Sequence, residues 1–392
     1  MLFLDAQQRL QQLLAPLTLD EFLDRTLSGG FCRVQGAGGA ARGALLGPEP
    51  RALLAAAVQL APKLTFHSAN PLGPPPSLQG VTDADELRRR IEAFHARNYS
   101  VRFPELRPLS PPLDELARAL EMLLLAPVTT SAFWSRGGMR APVHYDDHDL
   151  IVVQLLGEKR WYVASGPSDL PNTWGGIPPD TLELGPHEAF DVRPGDLVYL
   201  PRGTLHSVDS QAESLHVSIG FTPLTVREAL LAALDQLSDV DRGLRTTVGG
   251  RIAFQLRGAG PERLAPPLLE AAERLRAALL TPGFLGAALQ RRASRTVATL
   301  APLPVAAHGP LALDTELMQS RLAFCQLTAN PEKIDFSHPG GHLYIHRGVE
   351  QSLLFMVNTP RFRVRDIPGG ISDEVRVSLA ARLVAAGFLE PV

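Results

Sequence analysis

The spacing of hydrophobic and polar positions changes twice along the chain, and each change predicts a different kind of structure. Residues 1–128 carry mainly helical patterns, with capping-box spacing at 18–21 and an apolar helical face at 113–124. From 128 to 222, short runs rich in β-branched residues alternate with Gly, Pro and Asp, which predicts strands. The predicted strands are 128–134, 142–146, 149–156, 160–164, 189–192, 196–200, 206–210 and 215–222.

This density of short strands favours a small closed or sandwiched β structure, interrupted by a proline-rich excursion at 166–188. Residues 225–292 are again helical, and their broad apolar stripes suit helix packing or a dimer surface. A proline-containing join at 300–310 marks a second boundary. The last stretch predicts a small α/β unit of winged-helix type, with a strand at 342–347 and helices at 350–357 and 372–388.

Composition narrows the class of protein. Apolar residues form 45% of the chain and charged residues 20%, which excludes a largely disordered protein. A net charge of −3 leaves no global basic field for nucleic acid or an acidic membrane, and 301–392 is too acidic for DNA binding. Two distant cysteines exclude a disulfide scaffold and suit a reducing cytoplasm. With no apolar run of membrane-spanning length and no signal-peptide features, we expect a cytoplasmic protein.

Candidate metal ligands lie in the β-rich region. On a strand, His144 and Asp146 would project from the same face. The pattern Gly195-x5-Pro201-x-Gly203-x2-His206 resembles the second motif of the cupin superfamily and would return His206 to that face. Two His and one carboxylate with open positions form the ligand set of non-haem Fe(II) oxygenases. The alternatives are a barrel whose histidines are only hydrogen-bonded core groups, and His148 as a substitute ligand.

Lys159 is the candidate for anion binding. It follows a predicted hairpin turn and shares a strand face with Trp161, so a core-facing Trp161 would place Lys159 in the core too. A buried cation is costly unless it meets an anion, which a carboxylate-bearing cosubstrate would supply. The alternative is a lysine at the strand edge whose ammonium extends to solvent.

The segments PVHYDDHDLIVVQLLGEKRWYV and GDLVYLPRGTLHSV resemble the JmjC-type, cupin-4 group of 2-oxoglutarate oxygenases, and most closely the bacterial ribosomal oxygenases, across 90–300. The resemblance implies iron ligands at His144, Asp146 and His206, and contact of Lys159 with the distal carboxylate of 2-oxoglutarate. It also implies a polar residue near the cosubstrate on the last core strand, where Ser218 lies with His216 on the same face.

The resemblance further implies an α+β protein with a double-stranded β-helix (cupin/JmjC jelly-roll) core and N-terminal helices, at 1–223. A helical dimerisation region at 224–300 and a winged-helix-like C-terminal domain at 301–392 would follow, in a homodimer. The implied reaction uses Fe(II), 2-oxoglutarate and O2 to hydroxylate a protein side chain, such as Arg or His of a ribosomal protein, releasing succinate and CO2. The alternatives are the same chemistry on a small molecule or peptide, and a non-catalytic cupin-type scaffold.

Overall fold

A computed structural model describes residues 3–36, 39–166, 182–247 and 265–392, so most of the predicted 166–188 excursion lies outside the described residues. The chain divides into two compact units, Leu2–Pro223 and Leu224–Val392. None of the described helices has the length and apolar character needed to cross a membrane.

The first unit combines helices with antiparallel strands. Its helices are α1 (Phe3–Leu14), α2 (Leu19–Ser28), α3 (Gly39–Gly43), α4 (Pro50–Ala55), α5 (Ala84–His95) and α6 (Pro111–Leu124). Its strands are β1 (Cys32–Val34), β2 (Thr65–His67), β3 (Ser100–Pro104), β4 (Val128–Ser135), β5 (Met139–Arg140), β6 (Asp149–Leu156), β7 (Lys159–Ala164), β8 (His187–Val192), β9 (Leu197–Leu200), β10 (His206–Ser210) and β11 (Ser214–Phe221).

Two sheets of unequal size organise this unit. The larger has the strand order β1-β9-β6-β11-β4-β3-β2, and the smaller has the order β5-β10-β7-β8. Strand β6 shows how they pack: Ile151 and Val153 join the core cluster that contains the helices, whereas Leu150 and Val152 pack with residues of the smaller sheet. Because successive side chains point to opposite faces, the larger sheet is buried on both sides, which accounts for the apolar runs of β6 and β11.

The sequence prediction needs two corrections here. Residues 142–146 do not form a strand; one isolated bridge joins His144 to His206. Residues 1–128 also contribute β1, β2 and β3 to the larger sheet, besides the predicted helices. Strands this short carry too few alternating positions to stand out within helical sequence.

In the second unit, the described residues form three helices in the first part and a mixed α/β region after them. Its helices are α7 (Val226–Val240), α8 (Ala265–Leu279), α9 (Phe284–Thr299), α10 (Glu350–Asn358) and α11 (Asp373–Ala385). Its strands are β12 (Glu316–Gln319), β13 (Gln326–Ala329), β14 (Lys333–His338), β15 (Gly341–His346), β16 (Arg361–Arg363) and β17 (Leu389–Pro391). They form two three-stranded sheets, β16-β12-β17 and β13-β14-β15. The sequence analysis predicted only some of these strands, including the one at 342–347.

Candidate active site

A cavity of about 420 Å³ opens between the two sheets of the first unit. Its floor is built from the inward-facing positions of two neighbouring strands, β4 and β11, whose residues pair directly in the antiparallel ladder. The three pairs along the floor are Phe133 with His216, Ser131 with Ser218, and Thr129 with Gly220. Because inward positions recur every second residue, the strand register alone fixes which side chains line the cavity.

His144, Asp146 and His206 converge on the smaller-sheet side of this cavity. Each offers a ligand atom, and these atoms lie within 4.8 Å of one another. The backbones of His144 and His206 exchange two hydrogen bonds, with N···O distances of 3.0 and 2.8 Å. The carbonyl of Asp146 accepts a hydrogen bond of 2.8 Å from the amide of Gly203. The turn that precedes β10 is therefore attached to the loop that carries the other two residues.

Backbone carbonyls orient both imidazoles. Nδ1 of His144 lies 2.8 Å from the carbonyl oxygen of Pro142, and Nδ1 of His206 lies 3.0 Å from that of Thr204. A carbonyl can only accept, so each Nδ1 carries the proton and each Nε2 keeps a lone pair. Burial also lowers the pKa of His206, with a smaller contribution from His144, and so favours the neutral ring that a metal requires.

The three residues converge for a reason different from the one predicted. His144 and Asp146 belong to an irregular segment before β6, so strand alternation does not align them. The paired backbones at His144 and the hydrogen bond at Asp146 position them instead. His148, the substitute ligand, lines the same cavity but is outside this cluster, and its Nδ1 lies 2.8 Å from Oδ1 of Asp147.

Lys159 lies inside the cavity with 1% of its surface exposed. Its Nζ lies 3.0 Å from Nδ1 of His216, and burial lowers the pKa of the ammonium to about 7. The turn before Lys159 depends on Gly157, because its φ of +62° is unfavourable for other residues. A Cβ added at this position would also lie 1.9 Å from the carbonyl oxygen of Glu213. Lys159 therefore occupies the core and not a solvent-facing strand edge.

Ser218 lies in the middle of the floor, opposite Ser131. The side chain of Ser218 is 7% exposed, and that of Ser131 is 5% exposed. The two serines supply hydroxyl groups between the His216 end of the floor and the Gly220 end. Sequence reasoning identified Ser218 but overlooked Ser131, although Ser131 follows from the same alternation applied to β4.

Sequence reasoning also missed two basic groups of the cavity, His67 and Arg102. They belong to β2 and β3, the short strands within the helical N-terminal region. Both groups lie beside the ring of Phe133. The Arg102 guanidinium is 6.0 Å from the Phe133 ring centroid, and the His67 ring centroid is 5.7 Å from it. Burial, followed by the charges of Lys159, His144 and Arg102, lowers the pKa of His67 to about 4.

Residues 109–229, which include the floor, the three clustered ligand atoms and Lys159, match the family model of the JmjC domain. This region is similar to the JmjC domain. The matched region contains β4–β11 and helix α6, whereas His67 and Arg102 precede it.

Two curated relatives each match about a third of the chain or less. Ribosomal oxygenase 2 of Rattus norvegicus is 29% identical over 130 residues, which cover 32% of this chain and 28% of the relative. Ribosomal protein uL16 3-hydroxylase of Escherichia coli is 29% identical over 110 residues, which cover 27% of this chain and 28% of the relative. Each match therefore spans less than a third of the relative's length.

The fold likeness extends further than the sequence likeness. YcfD of Escherichia coli, a ribosomal oxygenase solved in complex with cobalt and 2-oxoglutarate, aligns with a TM-score of 0.52. The alignment covers 96% of this chain and 98% of YcfD at 16% sequence identity. The alignment shows a shared fold, and the chemistry is inferred from the side chains of this chain.

Proposed function

We propose that this protein is an Fe(II)- and 2-oxoglutarate-dependent oxygenase that hydroxylates a protein side chain and releases succinate and CO2. One observation carries the proposal. A 2-His-1-carboxylate cluster and a buried lysine ammonium line the same cavity, whose volume is about 420 Å³. A cavity of that size accommodates a small cosubstrate together with part of a substrate.

The donor set fits iron. Nε2 of His144, Nε2 of His206 and a carboxylate oxygen of Asp146 would hold the ion and leave its other positions open to the cavity. Bound iron would supply the activation of O2, which no protein side chain provides. The chain's own part is to keep both imidazoles neutral, fix their tautomers through the Pro142 and Thr204 carbonyls, and enclose the site.

Lys159 supports 2-oxoglutarate as the cosubstrate. Among the described residues, no carboxylate forms an ion pair with it, although the ammonium is almost completely buried. A cation in that environment needs an anion, and the distal carboxylate of 2-oxoglutarate would supply one. The hydroxyl of Ser218 would lie beside the cosubstrate and donate or accept a hydrogen bond.

The names of the relatives support a protein substrate. They are a ribosomal oxygenase and a hydroxylase of ribosomal protein uL16, so we propose a ribosomal protein, with Arg or His as the modified residue. The same chemistry on a small molecule or peptide, and a non-catalytic scaffold, are the alternatives. A scaffold would not require a buried ammonium beside a 2-His-1-carboxylate cluster. Failure of the protein to bind metal would favour the scaffold.

For domain organisation, we propose a catalytic region at 1–223, a helical dimerisation region at 224–300 and a winged-helix-like domain at 301–392. The exposed leucines of the helices support a homodimer. No residue of α8 is buried, and Leu268 and Leu269 are 59% and 67% exposed. Exposed apolar side chains that lie together indicate a partner surface. The two free cysteines suit the cytoplasm, which we propose as its location.

The catalytic proposal is tested by anaerobic titration of the apoprotein with Fe(II) and 2-oxoglutarate, following the visible charge-transfer band of the chelate. We expect a band that disappears in His144→Ala and weakens strongly in Lys159→Ala. His95→Ala is the matched control, because His95 is buried but lies outside the cavity. Absence of the band in the wild type, with no metal retained, would favour the scaffold.

Substrate and oligomer are tested separately. Incubation of the loaded enzyme with ribosomal proteins should add the mass of one oxygen to a single protein, and addition only to small peptides would support the alternative substrate class. Sedimentation of the paired substitutions Leu268→Glu and Leu269→Glu should show a monomer where the wild type is a dimer. Leu27→Glu, at a leucine of the other unit that is 86% exposed, should leave the assembly unchanged.

A further inference from the structure

We propose that His216 is a positioning residue for the cosubstrate: its neutral imidazole accepts a hydrogen bond from Lys159 and holds the ammonium for the distal carboxylate of 2-oxoglutarate. This inference rests on the function proposed above. It assigns a role to a buried histidine that is not one of the three clustered ligand residues. His216 would not touch the metal and would act through Lys159.

The direction of the contact follows from the chemistry of the two groups. In its charged form Lys159 has three N–H donors and no acceptor, so the ammonium that binds a carboxylate donates across the 3.0 Å that separate Nζ from Nδ1 of His216. Nδ1 must therefore carry a lone pair, and the ring proton lies on Nε2. This is the opposite tautomer to the one that the backbone carbonyls impose on His144 and His206.

The surroundings of His216 hold its ring in place. The ring stacks on Phe133 at a centroid distance of 4.9 Å and an interplanar angle of 23°, and Trp161 lies 5.8 Å away. The pairing of β11 with β6 also shifts register between Leu215 and His216. Such a bulge re-aims a side chain relative to a regular strand, and here the side chain is directed at the cavity.

A neutral acceptor suits this position better than a carboxylate. Asp or Glu at 216 would form an ion pair with Lys159 and neutralise the charge that attracts an anionic cosubstrate. Burial, then the charge of Lys159, then His67 and His206, lowers the pKa of His216 well below its ordinary value. The ring therefore stays neutral, uses one N–H of the ammonium and leaves two for the two oxygens of a carboxylate.

The test measures binding of 2-oxoglutarate to the Fe(II)-loaded protein through the chelate band, with Fe(II) affinity measured separately. His216→Leu removes the acceptor at similar size, whereas His216→Asn offers an amide oxygen near the position of Nδ1. We expect His216→Leu to raise the Kd for 2-oxoglutarate by about tenfold to a hundredfold, the range for a lost hydrogen bond to a charged group. The Kd for Fe(II) should not change, and His216→Asn should restore most of the 2-oxoglutarate affinity.

His95→Leu is the structural control, because His95 is 4% exposed and hydrogen-bonded to the carbonyl of Trp134, outside the cavity. An unchanged 2-oxoglutarate Kd in His216→Leu, with normal binding by the wild type, would overturn the role of His216 alone. No chelate band in the wild type would overturn the proposed function as well.

A second measurement needs no substitution. The nitrogen chemical shifts of the imidazoles in the wild-type protein report which ring nitrogen carries the proton. We expect His216 to be protonated at Nε2, with its unprotonated Nδ1 hydrogen-bonded to Lys159. Protonation at Nδ1 would exclude acceptance from the ammonium and would overturn the inference even if every His216 variant failed to fold.

Discussion

The backbones of His144 and His206 form an isolated antiparallel bridge, with N···O distances of 3.0 and 2.8 Å, and their ring centroids are 4.2 Å apart. The bridge joins an irregular loop to the first residue of β10, so backbone hydrogen bonds place the two imidazoles together before any metal binds. A site prepared in this way loses little conformational entropy when it takes up an ion.

Metal affinity should separate the clustered residues from their neighbour His148. We expect His144→Ala or His206→Ala to raise the Kd for Fe(II) by more than the roughly 10–100-fold that follows loss of an outer hydrogen bond to a ligand. His148→Ala is the matched control, since His148 lines the cavity but is outside the cluster. Calorimetric titration with Fe(II) or Co(II) checks both. A larger loss in His148→Ala than in His144→Ala would make His148 the ligand.

The burial of Lys159 should lower the stability of the folded protein, although the same buried charge binds 2-oxoglutarate. Each unit of pKa shift corresponds to about 1.4 kcal/mol. A pKa lowered from 10.5 to about 7 therefore makes the empty site less stable by a few kcal/mol at neutral pH. We expect Lys159→Met to unfold at higher urea concentration than the wild type while losing 2-oxoglutarate binding.

The destabilisation caused by Lys159 should decrease as the pH rises. The unfolded chain binds the lysine proton up to its ordinary pKa, whereas the folded protein releases it near pH 7. The destabilisation is full below about pH 7 and disappears as the pH rises towards the unfolded pKa. The advantage of Lys159→Met in urea unfolding should shrink between about pH 6.5 and about pH 9.5. A constant advantage would contradict a lowered pKa.

Binding of 2-oxoglutarate should weaken as the pH rises through 7. The free protein carries a charged Lys159 below its pKa of about 7, and only the charged form attracts a carboxylate. Above that pH the apparent Kd should rise by about tenfold per unit, because each unit removes a further tenfold of the charged form. Of the histidines nearby, His67 and His216 have lowered pKa values and stay neutral.

The control for this pH dependence is Lys159→Arg, because a guanidinium remains charged throughout the range. We expect its Kd for 2-oxoglutarate, followed through the chelate band, to be almost independent of pH between about pH 6.5 and about pH 8.5. A slope equal to that of the wild type would assign the titration to a group other than Lys159.

Strand alternation predicted more of the cavity than of the cluster. The parity of β7 placed Lys159 with Trp161, and that of β11 placed Ser218 with His216; all four line the cavity. The same alternation failed at 142–146, which forms no strand. There the geometry depends on hydrogen bonds between residues about sixty positions apart, which a local pattern does not contain. His67 and Arg102 were missed because three- and five-residue strands give little periodic signal.

The turn at Gly157 provides a final test of how the fold positions Lys159. Gly157→Ala forces a side chain into a φ of +62° and places its Cβ 1.9 Å from the Glu213 carbonyl oxygen, so the turn must move. We expect a loss of about 2–4 kcal/mol in urea unfolding, from left-handed strain and overpacking together. Lys159 lies two residues after Gly157, so a moved turn would displace it. The Kd for 2-oxoglutarate should therefore rise as well.

Gly185→Ala is the matched control for Gly157→Ala, because Gly185 has a φ of +60° but no atom of the described residues within 4 Å of an added Cβ. It bears the backbone strain without the steric clash, and we expect a loss of about 1–2 kcal/mol with no change in 2-oxoglutarate affinity. The difference between the two variants isolates the contact with Glu213. If Gly157→Ala lost stability yet bound 2-oxoglutarate like the wild type, the position of Lys159 would not depend on this turn.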